Sequence, residues 1–266
     1  MNARTMARFC SLIYETTGIR LGENKEELVS ARIGKRLRAL GLPSPEDYLD
    51  YLCAAENGQE LVHLIDAIST NHTSFFRESS HFDLLAELAG RWRQAGQKRF
   101  RLWSAACSTG EEPYTMAMVL AEKDVLSDCD VRILATDIST RVLDQAMAGE
   151  YGRERVKGLP AQIRQRYFEE YINGERQFRV APEIRRMVRF ERLNLISPPY
   201  PMRGPLDVVF CRNVMIYFDA KGRSVLLREI HRLLKPGGYL MVGHAESLAG
   251  LDHAFRFVEP ATYRRD

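Results

Sequence analysis

The stretch RLWSAACSTGEEPYTMAM, residues 101–118, decides the fold predicted for this 266-residue chain. An apolar run that suits a strand is followed by small residues and then by a helical pattern. Nucleotide phosphates usually bind at such a junction, because free backbone N–H groups face the ligand there. This loop, however, has one glycine (Gly110), no lysine and two carboxylates, Glu111 and Glu112. A phosphate would be repelled, so the loop predicts a ligand of different charge.

From about residue 99 onward, strand and helix patterns alternate, which is typical of a parallel sheet covered by helices. The predicted strands are KRFRLWSAA, DVRILATDIS, PLDVVFCRNVMIYF and PGGYLMVGHAES, with FRFVEPATYRRD as a single closing strand. The alternation stops between Tyr151 and Arg192, where short runs predict a small antiparallel insertion at about 163–192. The pattern therefore predicts a doubly wound α/β sheet with a small β insertion.

Residues 1 to about 67 predict helices only. Apolar residues recur at helical spacing, two of the predicted helices end at Gly18 and Gly41, and SPEDYLDYLC starts with a Ser–Pro pair that suits a helix N-terminus. The predicted organisation is a small all-helical domain over 1–67, a linker and helix over 68–98, and the sheet domain over 99–266.

Composition excludes several classes of protein. The net charge of +3 is too small to indicate a nucleic-acid partner. The five cysteines are scattered without a C-x-x-C pair, and no apolar run approaches the ~18 residues that a membrane span needs. The six histidines show no metal-ligand spacing, so we expect no metal. These features predict a cytoplasmic protein with reduced thiols and no membrane insertion.

The stretch ATDIS places Asp137 at the carboxyl end of the second predicted strand, where an acid can accept hydrogen bonds from both ribose hydroxyls. The alternative is that Asp137 caps the following helix. Together with the loop upstream, the ribose interpretation is favoured. A ligand with a ribose, no phosphate and a tolerance for carboxylates is S-adenosylmethionine, whose sulfonium and ammonium groups are cationic. We expect Glu111 to complement that charge and Glu112 only to favour the helix dipole.

Further polar residues fall at the same predicted sheet edge. Arg212 and Asn213 follow the third strand, whereas Asn194 and Leu195 precede it and could pack against adenine. The alternatives are that Asn213 only caps a turn and that Arg212 pairs with a surface acid.

Five segments in a fixed order carry a resemblance to a known family: STNHTSFFRE (69–78), WSAACSTGEEPYTMAM (103–118), ATDIS (135–139), FCRNVMIYF (210–218) and LLKPGGYLMVGHAES (233–247). Together they resemble the CheR-type chemoreceptor glutamate methyltransferases, over nearly the whole chain. The resemblance implies a Rossmann-like methyltransferase fold with S-adenosylmethionine as cofactor and S-adenosylhomocysteine as product. It implies that Arg77 and Tyr217 lie near the transferring methyl group, although Arg77 could instead only pair with Glu78 on a helix surface. The implied cofactor residues are Asn71, Thr73, Arg77, Glu111, Asp137, Asn194, Leu195, Arg212 and Asn213.

The chemistry implied by the resemblance needs no strong general base. A glutamate side chain has an unperturbed pKa of about 4.3, so the acceptor is already an ionised nucleophile at neutral pH. We expect an in-line displacement in which the carboxylate attacks carbon and a thioether leaves. Alignment and desolvation would then supply most of the acceleration. Arg77 or Tyr217 would orient the acceptor carboxylate.

The predicted second helix carries a basic face made of Arg32, Lys35, Arg36 and Arg38. This face is either a solvated surface or, as the resemblance implies, a docking surface for the acidic helical bundle of methyl-accepting chemoreceptors. Some family members also bind a receptor pentapeptide tether at a glycine-rich loop of the insertion. The corresponding stretch EEYINGERQF has only Gly174, which makes tether binding doubtful. We expect a monomer.

Two other functions stay open. The stretch SPPY (197–200) resembles a motif of nucleic-acid amine methyltransferases, but it precedes the strand that it follows in those enzymes, which favours an ordinary proline turn. The chain could also be a sensor that binds S-adenosylmethionine without turnover.

Overall fold

The computed structural model describes residues 1–21, 26–54, 58–69, 71–123, 125 and 128–266. The predicted start of the second helix at Asn24 and Lys25, and the predicted end of the fourth at Thr70, lie outside these residues.

The N-terminal region is helical, as predicted. It contains α1 (Ala3–Thr17), α2 (Glu26–Leu40), α3 (Pro45–Cys53) and α4 (Gly58–Ile68). Gly18 ends α1 in the left-handed conformation with φ 68°, and the Ser44 side chain caps α3 with Pro45 at its first position. Apolar side chains from all four helices form one core: Met6, Phe9, Ile13, Val29, Ile33, Tyr48, Leu49, Leu52, Leu64 and Ile68.

The rest of the chain contains a seven-stranded main sheet and a separate three-stranded sheet. The strands are β1 (Arg99–Ala105), β2 (Asp130–Asp137), β3 (Glu150–Gly152), β4 (Phe168–Asn173), β5 (Glu175–Val180), β6 (Val188–Arg192), β7 (Leu206–Cys211), β8 (Leu234–Val242), β9 (Phe255–Glu259) and β10 (Thr262–Arg265). The helices are α5 (Ser80–Gln94), α6 (Glu111–Glu122), α7 (Thr140–Ala148), α8 (Arg153–Val156), α9 (Ala161–Tyr167), α10 (Pro182–Arg185) and α11 (Ala220–Leu233).

The main sheet confirms the predicted doubly wound fold. Its strand order is β6-β2-β1-β7-β8-β10-β9, and the first five strands pair in parallel. Alternate residues of β1 enter different cores: Leu102 packs with α5 and α6, whereas Trp103 packs on the opposite face with α11. Burial on both faces explains the nearly continuous apolar runs of the central strands.

Two predicted elements differ in the structure. The single closing strand is a hairpin, because the chain turns at Ala261 (φ 59°) and β10 pairs antiparallel with both β8 and β9. The small sheet, of order β3-β5-β4, begins at Glu150, before the expected 163–192 insertion. The end of that expected insertion is β6, which pairs in parallel with β2 in the main sheet. Because β6 is an edge strand with exposed residues, it lacks the apolar run of a buried parallel strand.

In the described part of the chain, we find no helix that combines the length and the apolar character needed to cross a membrane.

Candidate active site

A cavity lies at the carboxyl edge of the main sheet, between the sheet and the N-terminal helices. Ala106, Asp137 and Arg212, which lie at or just after the ends of β1, β2 and β7, line one side. Residues of α1, α2 and α4 line the other side, among them Thr17, Val29 and Ile68. Ligands of open α/β sheets bind at this edge, so the fold and the cavity indicate the same site.

Asp137 lines this cavity and is held by backbone donors. One carboxylate oxygen accepts the Ser108 N–H at 2.9 Å and the other accepts the Ser139 N–H at 3.0 Å. The N-cap of α7 is Ser139, whose hydroxyl accepts the Val142 N–H, so the helix-cap alternative for Asp137 is wrong. Burial raises the pKa of Asp137, and the backbone hydrogen bonds oppose that rise. Each oxygen keeps a further lone pair with which it could accept a ligand hydroxyl.

The two glutamates of the loop are placed opposite to the expectation, because Glu112 and not Glu111 lines the cavity. Glu111 is fully buried and does not line the cavity; its carboxylate accepts from the Thr109 hydroxyl at 2.6 Å and from Arg155 at 3.0 Å. Glu112 does line the cavity, and its carboxylate accepts from the Ser104 hydroxyl at 2.7 Å and from Arg212 at 3.2 Å. Burial raises the pKa of both carboxyls. Neighbours on a helix point about 100° apart, and composition alone cannot tell which one faces a ligand.

Arg212 is the centre of a buried polar network. Its side chain is 2% exposed, and it donates to Glu78 at 3.0 Å, to Glu112 and to the carbonyl of Arg77. The side chains of Glu78 and Glu112, which hold Arg212, are only 14% and 13% exposed, so the surface-acid alternative is wrong. Burial raises the pKa of Glu78, but hydrogen bonds from Asn213 and Arg212 together with the charge of Arg212 hold it below its ordinary value.

Asn213 is held in the left-handed conformation, with φ 57°. Its side chain donates to Glu78 at 3.2 Å, and its backbone N–H donates to Glu246 at 2.7 Å. Gly243 must be a glycine here, because an added Cβ would lie 2.4 Å from the Asn213 side-chain nitrogen. Glu78 and Glu246 are not among the expected site residues, although both lie within the segments that carry the family resemblance.

The segment 71–78 is a strained turn instead of a helix. Phe76 and Glu78 both have φ 54°, a left-handed backbone conformation that residues other than glycine rarely adopt. Arg77 donates to the carbonyl of His72 at 2.7 Å, while Glu78 pairs with Arg212, so the helix-surface ion pair is wrong. Asn71, His72, Thr73 and Arg77 line the cavity. The buried Asn71 side-chain nitrogen has no hydrogen-bond partner among the described residues.

The remaining expected site residues also line the cavity, with different contacts. The Asn194 side chain donates to the carbonyl of Thr16 at 2.7 Å and so ties the loop after β6 to α1. Leu195 is 6% exposed. Tyr217 belongs to a short 3₁₀ helix, Met215–Tyr217, and its carbonyl accepts the Arg20 N–H at 2.9 Å.

The basic face of α2 divides into an inner and an outer pair. Arg36 makes a bidentate ion pair with the buried Glu60, at 2.6 and 2.8 Å, and Arg32 lines the cavity and donates to the carbonyl of Ala67. Lys35 and Arg38 are exposed. Only this outer pair is therefore presented on the surface of the helix.

Glu78, His81 and His244 place potential ligand atoms within 4.8 Å of one another. Burial and the nearby charge of Arg212 lower the pKa of His81 to about 4. Because Arg212 already donates to the Glu78 carboxylate, we assign Glu78 to the polar network around Arg212. The expectation of no metal stays a prediction.

Comparison with known proteins matches residues 71–264 to the family model "CheR methyltransferase, SAM binding domain" and residues 4–69 to "CheR methyltransferase, all-alpha domain". The chain belongs to the CheR methyltransferase family. A chemotaxis protein methyltransferase of Borreliella burgdorferi is 38% identical, over 98% of this chain and 94% of its own. Chemotaxis protein methyltransferase 2 of Pseudomonas aeruginosa is 42% identical over 94% and 89%, and the Escherichia coli protein is 42% identical over 93% and 86%. The predicted family is confirmed.

As a CheR-family member, the chain is an S-adenosylmethionine-dependent methyltransferase of chemotaxis. The cavity suits the cofactor. It offers the Asp137 carboxylate for hydroxyls, the Glu112 carboxylate for a cation and the unpartnered Asn71 amide nitrogen as a donor.

Proposed function

We propose that this methyltransferase forms methyl esters on glutamate side chains of the helical bundle of chemoreceptors. The observation that carries the proposal is the placement of Arg77 and Tyr217 on the same cavity as Asp137 and Glu112. Arg77 and Tyr217 therefore line the same cavity as the groups suited to the cofactor, and we expect their guanidinium and phenol to orient an acceptor carboxylate there.

The cofactor would be held by this chain's own residues in complementary roles. When bound, S-adenosylmethionine supplies a methyl group on a cationic sulfur. Asp137 would accept the ribose hydroxyls, and Leu195 with Asn194 would form the wall beside adenine. Glu112, in place of Glu111, would complement the ligand's positive charge. Asn71 and Thr73 would bind from the segment 71–78, and Arg212 and Asn213 would hold that segment and Glu112 in place.

The acceptor needs orientation instead of deprotonation, because a glutamate is ionised at neutral pH. Arg77 keeps one N–H on the carbonyl of His72, so its guanidinium still has donors for a carboxylate. Tyr217 would supply the second contact. The acceptor oxygen would take the methyl group from the cofactor's sulfonium, which would leave as a neutral thioether, so neither Arg77 nor Tyr217 would need to move a proton.

The partner would dock on the surface of α2. The exposed Lys35 and Arg38 suit an acidic helical bundle, whereas Arg32 and Arg36 of the expected docking set already bind within the protein. We propose that the enzyme acts as a monomer. The single glycine at the β4–β5 turn, Gly174, makes a receptor tether doubtful as a ligand.

One experiment tests the reaction type. Tritiated S-adenosylmethionine is incubated with candidate receptors and, as a control, with the same receptors after their glutamates are replaced by alanine. The products are then treated with base. Release of tritiated methanol from the unaltered receptor alone supports a glutamate ester. Stable label, or label on nucleic acid, would point to an N-methyl product, and cofactor binding without transfer to any acceptor would point to a sensor.

A further inference from the structure

The small sheet directly contacts the loop between β1 and α6, residues 106–110, which we call the cofactor loop. Tyr151 of β3 is 2% exposed and donates its hydroxyl to the carbonyl of Thr109 at 2.7 Å. The neighbouring Gly110 has φ 94°, and an added Cβ would lie 3.0 Å from the Tyr151 oxygen and 2.9 Å from the Cβ of Ala146. The loop therefore packs so closely against both α7 and the small sheet, with a positive φ, that only glycine fits.

The same sheet also supports the strained segment 71–78. Phe75, buried at the centre of that segment, packs edge-to-face on Tyr151, with ring centres 4.9 Å apart. It packs in the same way on Phe168 of β4, at 5.4 Å. Two strands of the small sheet thus form the surface on which the backbone that carries Arg77 rests.

Arg155 joins these two supported parts. From α8, which follows β3, it donates to the Glu111 carboxylate at 3.0 Å and to the carbonyl of Thr73 at 3.2 Å. The Glu111 side chain is 1% exposed, whereas that of Arg155 is 45% exposed. A partly solvated cation on α8, the helix that follows β3, therefore compensates a buried carboxylate and also holds the segment 71–78.

We propose that the small sheet braces the active site and that Arg155 is its positioning residue, which holds the segment 71–78 against the cofactor loop. The inference rests on the proposed function only in assuming that this loop and segment bind S-adenosylmethionine. Arg155 does not line the cavity and acts through Glu111 and Thr73. Without it, the buried Glu111 loses its cationic partner and keeps only the Thr109 hydroxyl, and the Thr73 carbonyl loses a donor.

The test compares Arg155→Met with Arg179→Met. Arg179 is the matched control. It lies in β5 of the small sheet, its side chain is 41% exposed, and it pairs with Glu150, which is itself partly solvated. Calorimetry with S-adenosylmethionine alone should show about tenfold weaker binding for Arg155→Met, which corresponds to ~1.4 kcal/mol. Arg179→Met should stay within about twofold of the wild type, and Arg155→Lys should recover part of the loss, because lysine restores the charge without the planar fork.

Cofactor binding is measured without a receptor, so the result is independent of the acceptor's identity. Equal affinities of Arg155→Met and Arg179→Met for S-adenosylmethionine would overturn the proposal that Arg155 holds the segment 71–78 against the cofactor loop. If Arg155→Met fails to fold, Tyr151→Phe removes only the hydroxyl that holds the Thr109 carbonyl and should weaken binding about threefold. Unchanged affinity in a folded Tyr151→Phe protein would also reject the proposal. With saturating receptor, the KM for the cofactor should rise more than kcat falls, and a purely structural role would lower the active fraction and leave KM unchanged.

Discussion

The network around Arg212 and the basic face of α2 are both clusters of charge, yet their surroundings differ completely. Arg212 is 2% exposed and lies between two acids, whereas Lys35 and Arg38 extend into solvent. Breaking a buried pair leaves an uncompensated charge and costs about 3–5 kcal/mol, whereas exposed pairs contribute about 0–1 kcal/mol. The first cluster therefore fixes geometry, whereas the exposed outer pair of the second can act only through its long-range field.

The largest expected effect comes from breaking the network. Glu78→Gln removes the negative charge of the carboxylate to which Arg212 and Asn213 both donate. We expect the free energy of unfolding to fall by about 3 kcal/mol. Chemical denaturation measures it. Lys35→Met on α2 is the control and should change stability by less than about 0.5 kcal/mol. If the two variants were equally stable, the contrast between the regions would be wrong.

A large kinetic effect is expected where the network meets the acceptor. Arg77→Ala should lower turnover about a hundredfold at saturating cofactor, because a displacement of about an ångström at the reacting groups can cost that much. Arg77→Lys should recover little, since a point charge does not reproduce a planar guanidinium. Single-turnover kinetics decide it, and near-normal turnover in Arg77→Ala would remove Arg77 from the chemical step.

The ribose contact predicts a smaller loss, in affinity. Asp137→Ala should weaken S-adenosylmethionine binding about tenfold or more, through the loss of one or two charge-assisted hydrogen bonds. Titration calorimetry measures the Kd, and circular dichroism checks that the variant is folded. An unchanged Kd in a folded variant would reject the ribose role.

These residues also mark how far the sequence could predict the molecule. The central strands were readable because parallel strands buried on both faces leave continuous apolar runs. The edge strand β6 and the hairpin of β9 and β10 were not, because exposed residues weaken the pattern. At the site, the strand-end position of Asp137 and the family resemblance for Arg77 pointed to two residues that line one cavity. It could not choose between Glu111 and Glu112, since that choice depends on where α6 begins and on a cation from distant Arg155.

The basic face should show a modest effect that depends on salt. Replacing Lys35 and Arg38 with alanine should lower kcat/KM for the receptor about three- to tenfold at low ionic strength and less at high salt, because exposed charges are screened beyond about 10 Å at 0.1 M. The Kd for the cofactor should stay unchanged. Steady-state kinetics at several salt concentrations measure the effect, with Arg36→Met as a comparison that should instead destabilise the fold through Glu60. A double variant that matches the wild type at low salt would make the outer pair only a solvated surface.

The smallest expected effect is that of pH on the rate between about pH 6 and 8. The pKa of Glu78 is held below its ordinary value, so Glu78 stays ionised there, and the pKa of His81, lowered to about 4, keeps that ring neutral. At lower pH the rate should fall as the acceptor takes up a proton, and Asp137, Glu111 and Glu112, whose pKa values burial raises, should protonate before ordinary carboxyls do. His72 lines the cavity and could serve as a general base, so it tests the alternative in which the nucleophile must be deprotonated. Because an ionised glutamate needs no base, we expect His72→Asn to keep both the flat pH profile of the rate and near-normal turnover. A rate that rises steeply between pH 6 and 8 and loses this rise in His72→Asn would show that the nucleophile must be deprotonated. An amine acceptor would then replace the glutamate.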